Sequence, residues 1–210
     1  MTTLHVLPGQ AAWWPGPGPE RQAVRRAGLW VLTGVISMLF FLFGAAYVMR
    51  MAVADWRPLP VVPWQLWCGS ALLLAASMAW QLAWRAASRG RELAATLAVA
   101  VACASSVLFL GAQLWAWQAM SGRDLTVAAN PANSFFYLIT GLHGVHVIGG
   151  LVAAGLAAWP LVRGGGVLRA SGGIELCARY WHFLLVLWLA MFAMLFLVTP
   201  AVVQAVCGIT

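Results

Sequence analysis

Residues 134–162 form an unbroken run of 29 without a charged side chain, and two histidines, His143 and His146, stand three apart inside it. A stretch this long and apolar belongs in lipid or deep in a protein interior. Four more uncharged runs share its character, at 29–49, 64–84, 93–120 and 180–199. About 20 helical residues, at roughly 1.5 Å each, cover a hydrocarbon core of roughly 30 Å. Charged residues make up 8% of the chain, against roughly 25% in soluble domains. These features predict an all-α, polytopic membrane protein with five transmembrane helices in a bundle, at about 29–49, 64–84, 93–120, 134–162 and 177–199.

The net charge of +7 rests on arginine alone, since no lysine occurs. A soluble chain with this balance would raise nucleic-acid binding. Here the arginines sit between apolar runs and report topology instead, so no nucleic-acid partner is expected. Arg21, Arg25, Arg26, Arg85, Arg89, Arg91, Arg163, Arg169 and Arg179 fall on one side of the membrane, and Arg50, Arg57 and Arg123 on the other. The positive-inside rule then places the N-terminus in the cytoplasm and the C-terminus outside.

Residues 1–28 read as a Pro/Gly-rich N-terminal arm, and 29–210 as the transmembrane domain. The arm holds Trp13 and Trp14 followed by Pro15, Pro17 and Pro19, then Arg21, Arg25 and Arg26. It lacks the order of a cleavable signal peptide, in which charge precedes the apolar core. Its prolines forbid a helix over its whole length; it reads either as a disordered arm or as a clasp on a neighbouring subunit, the paired tryptophans favouring the clasp. Cys68, Cys103, Cys177 and Cys207 are scattered and read as small apolar residues, not a disulfide framework.

Two polar constellations stand out. At about 100° per residue, Thr140, His143, His146 and Gly150 share one side of a helix. Histidines at i and i+3 cannot bracket one haem, but they could be two ligands of a metal if a second helix supplied more. The simpler expectation is a hydrogen-bonded stripe facing protein or lipid headgroups. The second group is Glu175, Arg179 and His182, spaced four and seven apart on one face. It reads either as a salt-bridged helix start or as a headgroup site, with Arg179 on a lipid phosphate and Glu175 and His182 fixing its rotamer. Small pairs such as Thr33/Ser37 and Gly150/Ala154 favour close helix packing.

No P-loop, dinucleotide glycine fingerprint or nucleophile elbow occurs. The uncharged runs carry no carboxylate to relay protons, as a self-sufficient transporter normally would. The pattern is that of a non-catalytic partner in a larger assembly.

The run Ser134-Phe-Phe-Tyr137-Leu-Ile-Thr140-Gly141-Leu-His143-Gly144-Val-His146-Val-Ile-Gly149-Gly150 resembles the fourth-span signature of subunit III of haem–copper terminal oxidases, in the short five-helix bacterial form. Tyr180-Trp181-His182-Phe183 through Trp188 resembles that family's final-span signature, and Glu175 sits where the family has a Glu. The resemblance implies a subunit that binds no haem or copper, those groups residing in partner subunits. It implies packing on catalytic subunit I, with subunit II and other small subunits in the complex, in the bacterial inner membrane. It also implies phospholipid held between helices while the complex reduces O₂ to water and translocates protons. The motif positions carried over are His143, His146, Glu175, Tyr180, Trp181 and His182. Two departures weaken any proton-handling role: Ile36 and Leu185 occupy positions where many members carry a carboxylate. They point to a divergent branch, serving an oxidase with an unusual donor or a nitric oxide reductase as an accessory subunit; a separate alternative, in another class, is a free-standing haem- or metal-binding membrane protein.

Overall fold

The computed structural model of the protein describes residues 19–198, apart from 54, 58 and 60–62. The arm up to residue 18, Pro200 and Cys207 lie outside the described residues. Five helices follow one another: α1 (Pro19–Arg50), α2 (Trp64–Ser88), α3 (Glu92–Ser121), α4 (Pro131–Val162) and α5 (Val167–Leu197). All five are long and apolar enough to cross a membrane.

Local chemistry explains most of the boundaries. Pro131 occupies the first turn of α4, where its missing N–H costs nothing, and the Asn130 side chain caps that turn by accepting from the Ala132 N–H at 3.3 Å. Gly90 makes the tight α2–α3 turn at φ +69°, and Gly166 precedes α5 at φ +83°, conformations that glycine adopts without strain.

Two helices start earlier than the apolar runs suggest. α1 begins at Pro19, so residues 19–28 of the expected arm are helical. α5 begins at Val167, ten residues ahead of 177, and runs straight through Gly172 and Gly173. At Gly173 a Cβ would lie 2.9 Å from the Ala157 Cβ of α4. The glycine pair is therefore a helix contact and not a linker.

α2 and α3 form the most extensive packed pair, and α5 touches α2, α4 and α1. The α2 seam runs Leu66, Gly69, Leu73, Ala76, Trp80, Ala83, Ala87, and the α3 seam Ala95, Val99, Ala102, Ser106, Phe109, Gln113, Ala116, Met120. Steps alternating between three and four are the mark of coiled-coil-like packing, and the many alanines let the backbones come close. α1 is peripheral: 11% of its most apolar window is buried, against 44% for α2. Its outer face presents Trp30, Val31, Val35, Met38 and Phe41.

Candidate functional site

The stripe on α4 meets three different neighbours. Thr140 is buried; its hydroxyl donates to the Phe136 carbonyl at 2.6 Å and accepts from the Trp117 indole of α3 at 3.1 Å. His143 is fully buried, edge-on to Phe109 of α3 and tilted against Trp188 of α5, with ring centroids 5.7 and 5.1 Å apart. Neither of its ring nitrogens has a hydrogen-bond partner among the described residues. His146 is half-buried. Its Nδ1 lies 2.7 Å from the Leu142 carbonyl, so this nitrogen carries the proton, and its ring meets Phe40 of α1 edge-on at 5.6 Å.

Beside His146 the three helices α1, α4 and α5 stand apart. A cleft of about 500 Å³ opens there, with Ile36, Gly149, Gly150 and Tyr180 in its walls and Arg25 at one end. The Tyr180 hydroxyl donates to the His146 carbonyl at 3.1 Å. Gly150 makes that approach possible, since a Cβ there would sit 2.8 Å from the Tyr180 ring. Ile36, one of the two departures from the resemblance, is part of the apolar wall. Leu185, the other departure, is a partly buried residue packed on the core.

Glu175 and Arg179 do come together, but the partner set is larger than the spacing suggested. Arg179 donates to Glu175 Oε1 at 2.6 Å. Arg26 of α1 donates to both carboxylate oxygens, at 3.0 and 2.9 Å, and Gln22 to Oε2 at 3.1 Å. The carboxylate is nearly buried while both guanidinium groups are half exposed. Sequence reasoning missed Gln22 and Arg26 because it placed them in a non-helical arm.

His182 is not part of that group. It faces α2, its Nδ1 bonded to the Ser77 hydroxyl and its Nε2 2.9 Å from Gln81 Oε1. Donation by Nε2–H to Gln81 leaves Nδ1 to accept from Ser77. Seven residues along α5 is roughly 10 Å, and at that depth the same face of α5 meets α2 in place of α1. His182 belongs to a ladder in which the Trp181 indole donates to Ser106 at 2.8 Å and the Trp188 indole to Ser70 at 2.8 Å. Trp181 also stacks at a tilt on Trp80, 4.9 Å between centroids. Part of the signal was present: Ser70 and Ser77, seven apart on one face of α2, meet Trp188 and His182 of α5, while Trp181 turns to Ser106 of α3.

Among the described residues no three His, Cys, Asp or Glu side chains gather as metal ligands would. The site is a set of polar fastenings between apolar helices, next to an apolar cleft of about 500 Å³. The family model for cytochrome c oxidase subunit III matches residues 28–199. The chain belongs to the cytochrome c oxidase subunit III family. It is 31% identical over 98 residues to a cytochrome c oxidase subunit 3 of Synechocystis sp., covering 46% of this chain and 41% of that one. With the subunit 3 of Thermostichus vulcanus it shares 31% over 101 residues, 47% of this chain and 48% of the relative. These matches span less than half the length of those relatives. A "Probable cytochrome c oxidase subunit 3" of Nocardia farcinica is 28% identical over 211 residues, covering 94% of this chain and all of that one. Within the subunit III family, then, the chain is a five-helix, multi-pass membrane protein.

Proposed function

We propose that this chain is the non-catalytic subunit III of a respiratory haem–copper oxidase. It packs on catalytic subunit I, alongside subunit II and small subunits, and keeps subunit I stable while the complex reduces O₂ to water and translocates protons. Haem and copper reside in the partner subunits, and their redox chemistry occurs there. The complex sits in the bacterial inner membrane, with the N-terminus of this chain in the cytoplasm.

The cleft beside His146 is the observation that carries the lipid part of this reading. Its walls are apolar, its Arg25 end offers a cation to a phosphate, and its volume of about 500 Å³ suits acyl chain. A lipid there is a filler between α1 and the α4–α5 pair, which otherwise touch over little area.

Affinity purification of the tagged chain from its native membrane, with identification of the co-purifying chains, tests the partnership. Recovery with a haem–copper subunit I and O₂ uptake by the complex support it. Recovery with a nitric oxide reductase, or of the chain alone carrying its own haem, overturns it. Ala153→Phe, which fills the cleft from α4, is expected to lower bound phospholipid and shorten the lifetime of oxidase activity while leaving the initial rate near wild type.

A further inference from the structure

We infer that the α2–α3 turn holds a second lipid site, selective for an anionic phospholipid whose phosphate carries no compensating ammonium. Three arginines converge there: Arg85 in the last turn of α2, Arg89 at its C-cap and Arg91 just before α3. Together with Leu82, Ala94 and Ala98 they line a cleft of about 460 Å³.

Four other arginines of the chain are occupied. Arg26 and Arg179 hold Glu175, Arg50 holds Asp55, and Arg163 lies 4.4 Å over the Trp159 ring. Among the described residues Arg85, Arg89 and Arg91 make no ion pair. Glu92, the only carboxylate between residues 85 and 92, pairs with none of them.

The cleft is two-sided in chemistry. Its rim is three guanidinium groups, each a fork of donors that fits a phosphate bidentately. Its remaining lining is aliphatic, from Leu82, Ala86, Ala94 and Ala98, and Leu93 and Leu97 of the same α3 segment are exposed apolar side chains. Free phosphate would satisfy the rim and leave the aliphatic lining bare; a glycerophospholipid satisfies both. A zwitterionic headgroup brings its own ammonium against three cations, whereas an anionic one does not. The site lies on α2, α3 and their turn, none of which lines the cleft beside His146, so it does not depend on that cleft or on the identity of the partner subunits.

The full-length chain, purified with whatever subunits accompany it, is delipidated in mild detergent and titrated with phosphatidylglycerol or phosphatidylcholine, bound lipid being counted by native mass spectrometry. The expected result is one phosphatidylglycerol retained about tenfold more tightly than phosphatidylcholine. The triple variant R85Q/R89Q/R91Q is expected to lose that preference, and the pair R163Q/R169Q to keep it. Because arginines also set topology, R85K/R89K/R91K, which preserves the charge, is measured too and is expected to bind several-fold more weakly than wild type. Equal loss in the R163Q/R169Q control, or full retention in the lysine variant, would reduce the cluster to an unspecific positive surface and overturn the proposal. Displacement of the bound lipid by millimolar inorganic phosphate would overturn it as well, since the site would then read the anion alone.

Discussion

Arg26 and Glu175 are 149 residues apart in sequence, yet the Arg26 guanidinium donates to both oxygens of the Glu175 carboxylate, at 3.0 and 2.9 Å. This pair closes one end of α1 onto α5. Arg179 and Gln22 complete the carboxylate's shell, so a single buried acid organises two cations and an amide.

Glu175→Gln is therefore expected to loosen the start of α1. Hydrogen bonds to charged groups contribute about 1.5–3 kcal/mol, and partial exposure of both arginines brings the expected loss to about 1 kcal/mol. Arg179→Ala should cost less, because Arg26 remains. Thermal melts of the purified protein, with protease susceptibility of residues 19–28 as the local readout, check both. An unchanged melt and unchanged protection in Glu175→Gln would show that the α1 start is held by something else.

Neighbouring glycines on α4 should behave oppositely. A Cβ at Gly150 would come within 2.8 Å of the Tyr180 ring and 3.1 Å of the Trp181 ring, while at Gly149 it meets nothing within 4 Å. Overpacking of this kind costs about 1–3 kcal/mol. Gly150→Ala should destabilise the α4–α5 contact and Gly149→Ala should not, as read by melting temperature. Equal effects from the two would contradict the packing described.

The indole–serine ladder makes a coupling prediction. Ser106→Ala leaves the buried Trp181 N–H unpaired; Trp181→Phe removes the donor as well. Hydrogen bonds between helices in lipid average about 0.6 kcal/mol. A double-mutant cycle on these two residues should return a favourable coupling of about that size, and a zero or repulsive value would remove the ladder as a source of stability.

His143 buries two ring nitrogens with no partner among the described residues. His143→Phe keeps a ring against Phe109 and Trp188 and discards the polar atoms. Replacing an unpaired polar group by an apolar one of similar shape is near neutral or stabilising, so a gain of up to about 1 kcal/mol is expected. A loss beyond about 2 kcal/mol in a denaturant titration would mean that the imidazole is bonded in the working assembly.

The α1–α2 connection carries the chain's expected acid sensitivity. Arg50 donates to both Asp55 oxygens, at 2.7 and 2.6 Å, and holds that carboxyl below the usual carboxylate range, chiefly through these hydrogen bonds. A depressed acid stabilises the fold above its unfolded pKa of about 3.9 and ceases to do so as pH falls through the folded value. Amide exchange in residues 51–57 should thus be flat from neutral pH to about 4, after correction for intrinsic rates, and accelerate below it. Asp55→Asn should abolish that transition.

The number and rough position of the helices were legible because 20 uncharged residues have few other destinations. The family signature was legible in the residues around His143 and Tyr180. The helix starts were not. Residues 19–28 carry charge and little apolar periodicity, and their helix is secured by Glu175, far along the chain. Gly172–Gly173 reads locally as a break, and only the nearness of Ala157 gives it a packing reason. Likewise the spacing of Glu175, Arg179 and His182 predicted one face, correctly by angle, but a helical wheel has no depth: it cannot say that one face serves α1 near its start and α2 two turns on. The α3 seam at Ala95, Val99, Ala102 and Ser106 has the right spacing but is hidden in the sequence by an otherwise uniform apolar background.

α1 is fastened by hydrogen bonds near both ends and by apolar contacts of Ile36 and Phe40 between them. Arg26 grips Glu175 at one end, and at the other the Tyr47 hydroxyl donates to the Leu195 carbonyl at 3.3 Å. Hollows of about 500 and 620 Å³ flank the middle, with Phe40 against His146 as a strut. What fills those two hollows therefore decides how much packing the middle of α1 has beyond that strut.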